Sequence, residues 1–265
     1  MKLKFFKYHG NGNDFIIIDN RRNNFPLNDH KLIRALCDRN FGIGADGLML
    51  LDEIAGFDFR MIYYNSDGVE GSMCGNGGRC IVRFAKKLGI IKKTASFSGI
   101  DGPHEASIDE KGLVHLKMQD VKGFDKDGTA YILNTGSPHY ILYCDNIDSI
   151  DVKREGRKIR NNSKYTEKGI NVNFVQLTGT GLRIRTYERG VENETFACGT
   201  GSVAAALSLV PESGFSGSSV LVETRGGNLE VSFRHSAGSS FSDIWLTGPA
   251  SYVFKGSINT SRISG

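Results

Sequence analysis

The sequence predicts a mixed α/β chain built from two similar halves. Short β-rich runs dominate it, and three helices interrupt them. A repeat is the second observation, because a Cys-Gly-x-Gly motif occurs at Cys74 and again at Cys198, an offset of 198 − 74 = 124 residues. Self-similarity at a fixed offset is the mark of a duplicated fold. We therefore expect one half to carry Cys74 and the other to carry Cys198.

The predicted strands are short runs, most of them bounded by Gly, Asn or Asp, as is typical of turn-rich sheets. In chain order they are Lys4–Tyr8, Phe15–Asp19, Phe59–Tyr64, Val114–Met118, Tyr140–Tyr143, Phe174–Gln176, Leu182–Tyr187, Val220–Thr224 and Leu229–Phe233. This series predicts that sheets make up most of each half.

Apolar spacing predicts the three helices. The first begins near Asn28, a good N-cap residue, and carries its apolar side chains on one face. The second follows Cys74 and closes at Gly89. The third follows Cys198 and is apolar nearly all round, which indicates a central, fully buried helix.

The repeat extends beyond the cysteine motif. EGSMCGNGG, which ends at Gly78, resembles ETFACGTGS, which ends at Ser202. The same ungapped shift pairs Gly12 with Gly136, Ile17 with Ile141, Tyr63 with Tyr187 and Glu70 with Glu194. If the two halves face each other, equivalent residues would line a shared cleft.

Composition and charge exclude several function classes. The chain of 265 residues has a formal net charge of only +4, and its basic residues are scattered without aromatic interleaving, which argues against a nucleic-acid partner. The N-terminus does not read as a signal peptide. The longest uncharged stretch, Thr195–Pro211, is too short to span a membrane. We expect a cytoplasmic protein with no nucleic-acid and no membrane partner.

The five cysteines make an odd number, and no pair has CxxC spacing. This argues against a disulfide scaffold and against a structural zinc site, so we expect reduced thiols and no metal. Cys37 and Cys144 are read as small buried apolar residues. Cys80 is expected to pack near the site or to flank it.

The setting of Cys74 and Cys198 favours thiol chemistry. The glycines let the backbone turn tightly and approach a ligand. The first amides of a helix point outward, and the helix dipole places positive potential there, which suits both a carboxylate and a thiolate. Inversion of an α-carbon needs a base on one face and a proton donor on the other. Two equivalent cysteines across a cleft supply both.

Six blocks of the chain resemble the signature blocks of the diaminopimelate epimerase family. They are HGNGNDF (His9–Phe15), GIGADGL (Gly42–Leu48), YNSDGVEGSMCGNGGRC (Tyr64–Cys80), GSPHY (Gly136–Tyr140), GINVNF (Gly169–Phe174) and YERGVENETFACGTG (Tyr187–Gly201). They occur in the family's order and span most of the chain.

The resemblance implies two pseudo-symmetric halves, each a curled, mostly antiparallel sheet around a central helix, with the active site between them. Residues 1–119 with 247–265 would form the half that carries Cys74, and residues 120–246 the half that carries Cys198. It also implies cofactor-independent interconversion of LL- and meso-diaminopimelate in lysine and peptidoglycan synthesis, without metal or pyridoxal phosphate. The expected partner is a small-molecule amino acid, and a homodimer is left open.

The resemblance also assigns roles by matched position. Cys74 and Cys198 would be the acid–base pair, with His139 and Glu188 beside the thiols to tune their proton affinities. The substrate-binding residues would be Asn13, Asn65, Gly75, Asn76, Ser137, Asn171, Glu188, Arg189, Gly199 and Thr200. Of these, the pairs Gly75/Asn76 and Gly199/Thr200 would present helix-start amides to the reacting carboxylate. Read alone, the asparagines are ordinary turn formers, and Arg189 an ordinary ion-pair partner.

Two positions depart from the family's pattern. Family members often have Asn where this chain has Ser137, and some have Gln where it has Gly47. The offset relates these positions to other site residues, since Asn13 plus 124 gives Ser137 and Asn171 minus 124 gives Gly47. Both departures concern recognition of the distal end of the substrate, not the chemistry at the α-carbon.

Three other functions compete with this one. A proline or hydroxyproline racemase also uses two cysteines in glycine-rich loops, but lacks the HGxGNDF and YERG blocks in this form. A thiol redox sensor would form a reversible disulfide between Cys74 and Cys198 and would exchange no α-proton. A relative that only binds ligand would have no need to keep both cysteines.

Overall fold

The computed structural model describes residues 2–23, 25–71, 74–236 and 240–260. The chain divides into two compact units. Unit 1 comprises Met1–Leu116 and Pro249–Gly265, and unit 2 comprises Lys117–Gly248.

Unit 1 begins with seven strands and two helices in its first segment. They are β1 (Lys2–Gly10), β2 (Asn13–Asp19), α1 (His30–Cys37), β3 (Gly47–Asp52), β4 (Phe59–Asn65), α2 (Gly75–Lys87), β5 (Thr94–Gly99), β6 (Gly102–Ile108) and β7 (Val114–Lys117). Unit 2 follows with β8 (Asp125–Asp127), β9 (Ala130–Asn134), β10 (Pro138–Tyr143), α3 (Val152–Arg160), β11 (Asn171–Leu177), β12 (Gly181–Glu188), β13 (Asn193–Thr195), α4 (Gly199–Ser213), β14 (Ser219–Thr224), β15 (Gly227–Ser236) and β16 (Ser240–Gly248). The last strand, β17 (Ser251–Asn259), returns to unit 1.

The strands of unit 1 pair in the order β17–β1–β2–β3–β4–β5–β6–β7, with parallel pairing at β2–β3 and β4–β5 and antiparallel pairing at the others. Parallel neighbours need a crossover connection, and α1 and α2 supply the two crossovers. Helix α2 packs against β1, β2, β3 and β6, so the sheet curls around it.

Unit 2 repeats this topology. Its strands pair in the order β8–β9–β10–β11–β12–β14–β15–β16, with parallel pairing at β10–β11 and β12–β14. The short strand β13, which lies between β12 and α4 in the sequence, pairs with β12. Helix α4 packs against β9 to β12 and against β14 to β16. Its side chains Val203–Leu207 are fully buried, as the apolar sequence predicted.

The elements of the two units match at the offset found in the sequence. Adding 124 to α2 (75–87) gives 199–211, and α4 begins at Gly199. Adding 124 to β3 (47–52) gives 171–176, and β11 spans Asn171–Leu177. The predicted fold class, a mixed α/β chain with two repeated halves, is confirmed.

Eight of the nine predicted strands lie within observed strands, the ninth, Val114–Met118, runs one residue past β7, and the three predicted helices are present. Two details of the helix predictions were wrong. The N-cap of α1 is Asp29, whose carboxylate accepts from the Leu32 amide, and not Asn28. Helix α3 was not predicted, because its basic residues Lys153, Arg154 and others were read as scattered surface charge.

The observed strands that were not predicted lack the usual sequence pattern of a strand. β3, GLMLLD, is buried along nearly its whole length and so lacks the polar–apolar alternation that indicates a strand. Other strands, such as β5 and β6, are rich in Ser, Gly and charged residues. None of the helices in the described ranges has the length and apolar character needed to cross a membrane.

Candidate active site

Both cysteines of the repeated motif stand at helix starts. Cys74 is the N-cap of α2 and Cys198 the N-cap of α4, each with the extended backbone that an N-cap adopts. Their carbonyl oxygens accept from the Gly78 amide at 2.7 Å and the Ser202 amide at 2.9 Å. The first amides of each helix therefore point outward beside a thiol. This is the arrangement that favours a carboxylate or a thiolate.

In unit 1, the half-buried Cys74 thiol donates to Asn13 Oδ1, at 3.6 Å. Asn76 Nδ2 donates to the same oxygen at 3.2 Å. Asn13 Nδ2 donates in turn to the Asp46 carboxylate at 2.7 Å. Because a carboxylate only accepts, Asp46 fixes the Asn13 amide with its oxygen toward Cys74.

A fully buried arginine holds the start of α2 from inside. Arg79 donates to Asn76 Oδ1 at 3.0 Å, to Asn11 Oδ1 at 2.9 Å and to the Gly75 carbonyl at 3.2 Å. Burial lowers the pKa of Arg79 to about 10, and Coulombic interaction with Cys80 and Cys74 opposes this shift. The guanidinium therefore stays charged at neutral pH, bonded to neutral oxygens. Its positive charge favours an anion at this helix start.

Asn65 is the last residue of β4. Because β4 runs antiparallel to β3, Asn65 lies at the end of the sheet where β2 and β3 begin. Gly47, the first residue of β3, pairs with Asn65 in the strand register. Tyr63 donates from its hydroxyl to Asn65 Oδ1 at 3.0 Å. A Cβ on Gly47 would lie 2.6 Å from the Tyr63 ring. The space that a side chain at position 47 would need is therefore filled by Tyr63.

In unit 2, Cys198 lies beside a cluster of hydroxyl groups and a histidine. Its Sγ is 3.6 Å from Thr200 Oγ1, and that hydroxyl is 2.9 Å from His139 Nε2. Ser137 Oγ lies 3.0 Å from the same nitrogen and 3.3 Å from Thr200 Oγ1. These contacts connect His139 to Cys198 through Thr200.

His139 is fully buried and neutral. Burial, together with a smaller effect of the nearby Arg189 charge, lowers its pKa to about 3. A neutral imidazole has one donor and one acceptor nitrogen, so its tautomer decides what it offers to Thr200. Glu188 ends β12 and accepts from the Thr195 hydroxyl at 2.8 Å. Tuning of the thiols by His139 and Glu188 stays a prediction.

Asn171 and Arg189 meet at the same edge of unit 2. The Arg189 amide donates to Asn171 Oδ1 at 2.9 Å, and Asn171 Nδ2 donates to Ser137 Oγ at 3.1 Å. The Arg189 guanidinium donates to the Lys168 carbonyl at 3.0 Å. Asn171, Ser137, Thr200 and Cys198 thus belong to one hydrogen-bonded network.

The second glycine of the motif is required by close packing in unit 2. A Cβ on Gly201 would lie 2.5 Å from Asn173 Oδ1 and 3.3 Å from Cys198 Sγ. Gly199, like Gly75 in unit 1, is the first residue of its helix and is buried. Any side chain at Gly201 would therefore displace the groups around the thiol.

Sequence reasoning missed several residues that hold these groups. Asp46 and Arg79 fix the amides beside Cys74, and Asn173 contacts His139. One of them had a signal in the sequence: Asn171 and Asn173 are two apart on one strand, so their side chains share a face. Among the described residues, no group of three or more His, Cys, Asp or Glu is placed to hold a metal ion.

Comparison with known sequences identifies a family. The family model for diaminopimelate epimerase matches residues 5–122 and 131–253. A diaminopimelate epimerase of Flavobacterium psychrophilum is 49% identical over 257 residues, which cover 97% of this chain and 100% of that protein. One of Chlorobaculum tepidum is 45% identical and covers 94% of this chain and 98% of the relative.

Solved structures share the fold at low sequence identity. A phenazine biosynthesis protein of the PhzF family from Bacillus anthracis has a TM-score of 0.74 at 15% identity, covering 98% of this chain and 99% of that one. A hydroxyproline epimerase from Agrobacterium vitis, with bound trans-4-hydroxy-L-proline, has a TM-score of 0.71 at 14% identity, covering 97% and 92%. With the six sequence blocks, the two cysteine helix starts and the near full-length relatives all in agreement, this chain belongs to the diaminopimelate epimerase family.

Proposed function

We propose that this chain is an isomerase that epimerises one α-carbon of LL-2,6-diaminopimelate to give meso-diaminopimelate, a step of lysine and peptidoglycan biosynthesis. The observation that carries the proposal is the repeated helix start. In a chain of this family, a cysteine is the N-cap of an equivalent helix in each half. We propose that residues 1–119 with 247–265 and residues 120–246 act as the two halves of the site, and that no cofactor takes part.

The proposed reaction is a two-base proton transfer. The thiolate of one cysteine removes the α-proton on one face of the carbon and becomes a thiol. The electron pair left on carbon is delocalised into the carboxylate, whose growing negative charge the helix-start amides stabilise. The thiol of the other cysteine gives its proton to the opposite face and becomes a thiolate. Cys74 and Cys198 exchange protonation states in each turnover.

The remaining site residues would bind and orient the substrate. The helix-start pairs Gly75/Asn76 and Gly199/Thr200 would bind the reacting carboxylate. The other carboxylate and the ammonium groups would be held by Asn13, Asn65, Ser137, Asn171, Glu188 and Arg189. A guanidinium binds a carboxylate through two parallel bonds, which supports a role for Arg189 in recognition of the distal end.

We also propose a cytoplasmic homodimer without nucleic-acid or membrane partners. Support for the dimer comes from β17, which pairs with β1 in unit 1 and exposes consecutive apolar residues. Tyr252, Val253 and Phe254 are 41%, 50% and 44% exposed. Exposed apolar side chains that lie together on a strand mark a surface that a second copy of the chain could bury.

Incubation with LL-diaminopimelate, followed by chiral chromatography, tests the proposed activity. We expect the wild type to approach an equilibrium mixture of isomers, and the variants Cys74→Ala and Cys198→Ala to lose epimerisation by at least about 10²-fold, since each removes one of the two proton-transfer groups. Cys144→Ser is the matched control, because this thiol belongs to neither Cys-Gly-x-Gly motif and donates to the Val175 carbonyl. It should keep wild-type activity.

Two outcomes would refute the proposal. Robust turnover by either single cysteine variant would refute the two-base assignment. Racemisation of proline, with no action on diaminopimelate, would show that the chain is a proline racemase instead.

A further inference from the structure

A buried polar chain runs from the core of unit 2 toward Cys198. Asn173 is fully buried on β11, and its Nδ2 lies 3.1 Å from His139 Nδ1. His139 Nε2 lies 2.9 Å from Thr200 Oγ1, which is 3.6 Å from Cys198 Sγ. Neither the family resemblance nor the repeated motif assigns any role to Asn173.

The orientation of the Asn173 amide is determined by its other neighbours. Nδ2 lies 3.2 Å from the Tyr140 carbonyl oxygen and 3.4 Å from the Asn171 carbonyl oxygen. Both oxygens are acceptors only, so a flipped amide would place oxygen against oxygen. On the other side, Asn173 Oδ1 accepts from the Thr186 hydroxyl at 2.9 Å. The nitrogen must therefore face His139.

The Asn173 orientation determines the histidine tautomer. An amide nitrogen only donates, so His139 Nδ1 must accept and carries no proton. The fully buried ring is neutral, and its single proton is consequently on Nε2. That proton points to the hydroxyls of Thr200 and Ser137, which lie 2.9 Å and 3.0 Å away.

We propose that Asn173 is a positioning residue, which fixes His139 as a donor to Thr200 and so leaves the Thr200 hydroxyl hydrogen to point at Cys198. A hydroxyl that accepts from the imidazole keeps its own proton to donate. Donation to sulfur stabilises the thiolate relative to the thiol. The part of this inference that concerns Cys198 rests on the proposed function, whereas the tautomer of His139 does not.

The tautomer can be read in the wild-type protein without substrate. In protein labelled with ¹⁵N-histidine at pH 7.5, the His139 signals are assigned by their loss in His139→Gln. We expect the shift of an unprotonated nitrogen at Nδ1 and that of a protonated nitrogen at Nε2. The opposite tautomer, or a doubly protonated ring, would overturn the proposal even if no variant of Asn173 folds.

Two variants separate positioning from structural support. Asn173→Leu keeps the number and branching of the side-chain heavy atoms and removes the donor, so the preference for protonated Nε2 should be lost. In a Cys74→Ala background, the rate of Cys198 alkylation by iodoacetamide at pH 7.5 should fall about tenfold, which corresponds to a rise of one unit in thiol pKa. Thr186→Val is the matched control, since it removes a bond to the same amide on the side away from His139.

The control decides between the two explanations. Thr186→Val should lower the thermal unfolding midpoint yet keep both the tautomer and the alkylation profile of the wild type. If Asn173→Leu keeps the wild-type tautomer and alkylation rate, the inference is wrong. If the chain fails to epimerise diaminopimelate but shows protonated Nε2 in the wild type, the proposed function fails and the tautomer assignment stands.

Discussion

At the scale of single residues, the site depends on glycines that leave room for other side chains as well as on the residues that carry functional groups. Gly169 precedes the strand that carries Asn171, and its backbone has φ +72°, in the left-handed region that favours glycine. A Cβ there would lie 2.6 Å from Arg189 Cδ and 2.9 Å from Arg160 Cζ. Arg189 can therefore take its position only because Gly169 has no side chain.

Substitution of Gly169 should weaken substrate binding. Gly169→Ala should displace the Arg189 side chain and raise the KM for diaminopimelate about tenfold, a change worth ~1.4 kcal/mol. The left-handed backbone should also cost about 1 kcal/mol in the free energy of unfolding. Gly179→Ala is the control, because a Cβ at Gly179 meets no atom within 4 Å. Steady-state kinetics with unchanged KM in Gly169→Ala would contradict this role.

The residues of the candidate site could be predicted from the sequence only in part. The two thiols, the helix-start glycines and the asparagines were predicted as site candidates because the repeat and the family blocks marked them. Asp46 and Arg79 were not, since their roles arise from contacts between distant segments: Asp46 is 33 residues from Asn13 in the sequence, and Arg79 is 68 residues from Asn11. Periodicity along a strand or helix does not report which polar groups meet across it.

At the scale of elements, the repeat also predicts a helix that apolar spacing alone does not. Helix α1 spans 30–37, and adding 124 gives 154–161, within one or two residues of the unpredicted α3 at Val152–Arg160. The α3 segment is rich in Lys and Arg on its exposed side, which masked its helical pattern. Strand composition was a weaker guide still, because β3 is buried on both faces and lacks alternation.

Strand β17 provides the element-scale prediction. If two copies associate through the exposed apolar residues of β17, light scattering at micromolar concentration should give twice the chain mass of 29.1 kDa. Val253→Lys places a charge at the most exposed of these apolar residues and should give a single chain mass. Leu177→Lys is the matched control, since Leu177 is similarly exposed, at 46%, at the end of β11. It should remain dimeric.

Either of two results would count against this surface. A wild-type mass of one chain would contradict the dimer itself. A Val253→Lys protein that stays dimeric would show that another surface is used.

At the scale of the whole molecule, duplication explains why one chain offers two similar but chemically distinct thiols. Each half has a cysteine at the start of a helix surrounded by its own sheet. The neighbours of the two thiols differ, because Cys74 donates to an amide oxygen of Asn13 and Cys198 lies beside the hydroxyl of Thr200. The fold class followed from the sequence because the repeat is preserved without gaps, whereas the differing neighbours became visible only in three dimensions.

The most direct test of the two-base proposal follows hydrogen at the inverted carbon. In deuterated water, the thiol that protonates the carbon exchanges with solvent, so the first meso-diaminopimelate formed from LL-substrate should carry deuterium at the inverted α-carbon. The substrate recovered at the same early time should still carry protium, because the thiolate that takes its proton is on the other face. NMR and mass spectrometry of both isomers measure this. Early product that retains the substrate's own α-proton, as one base acting on both faces would give, would contradict the account.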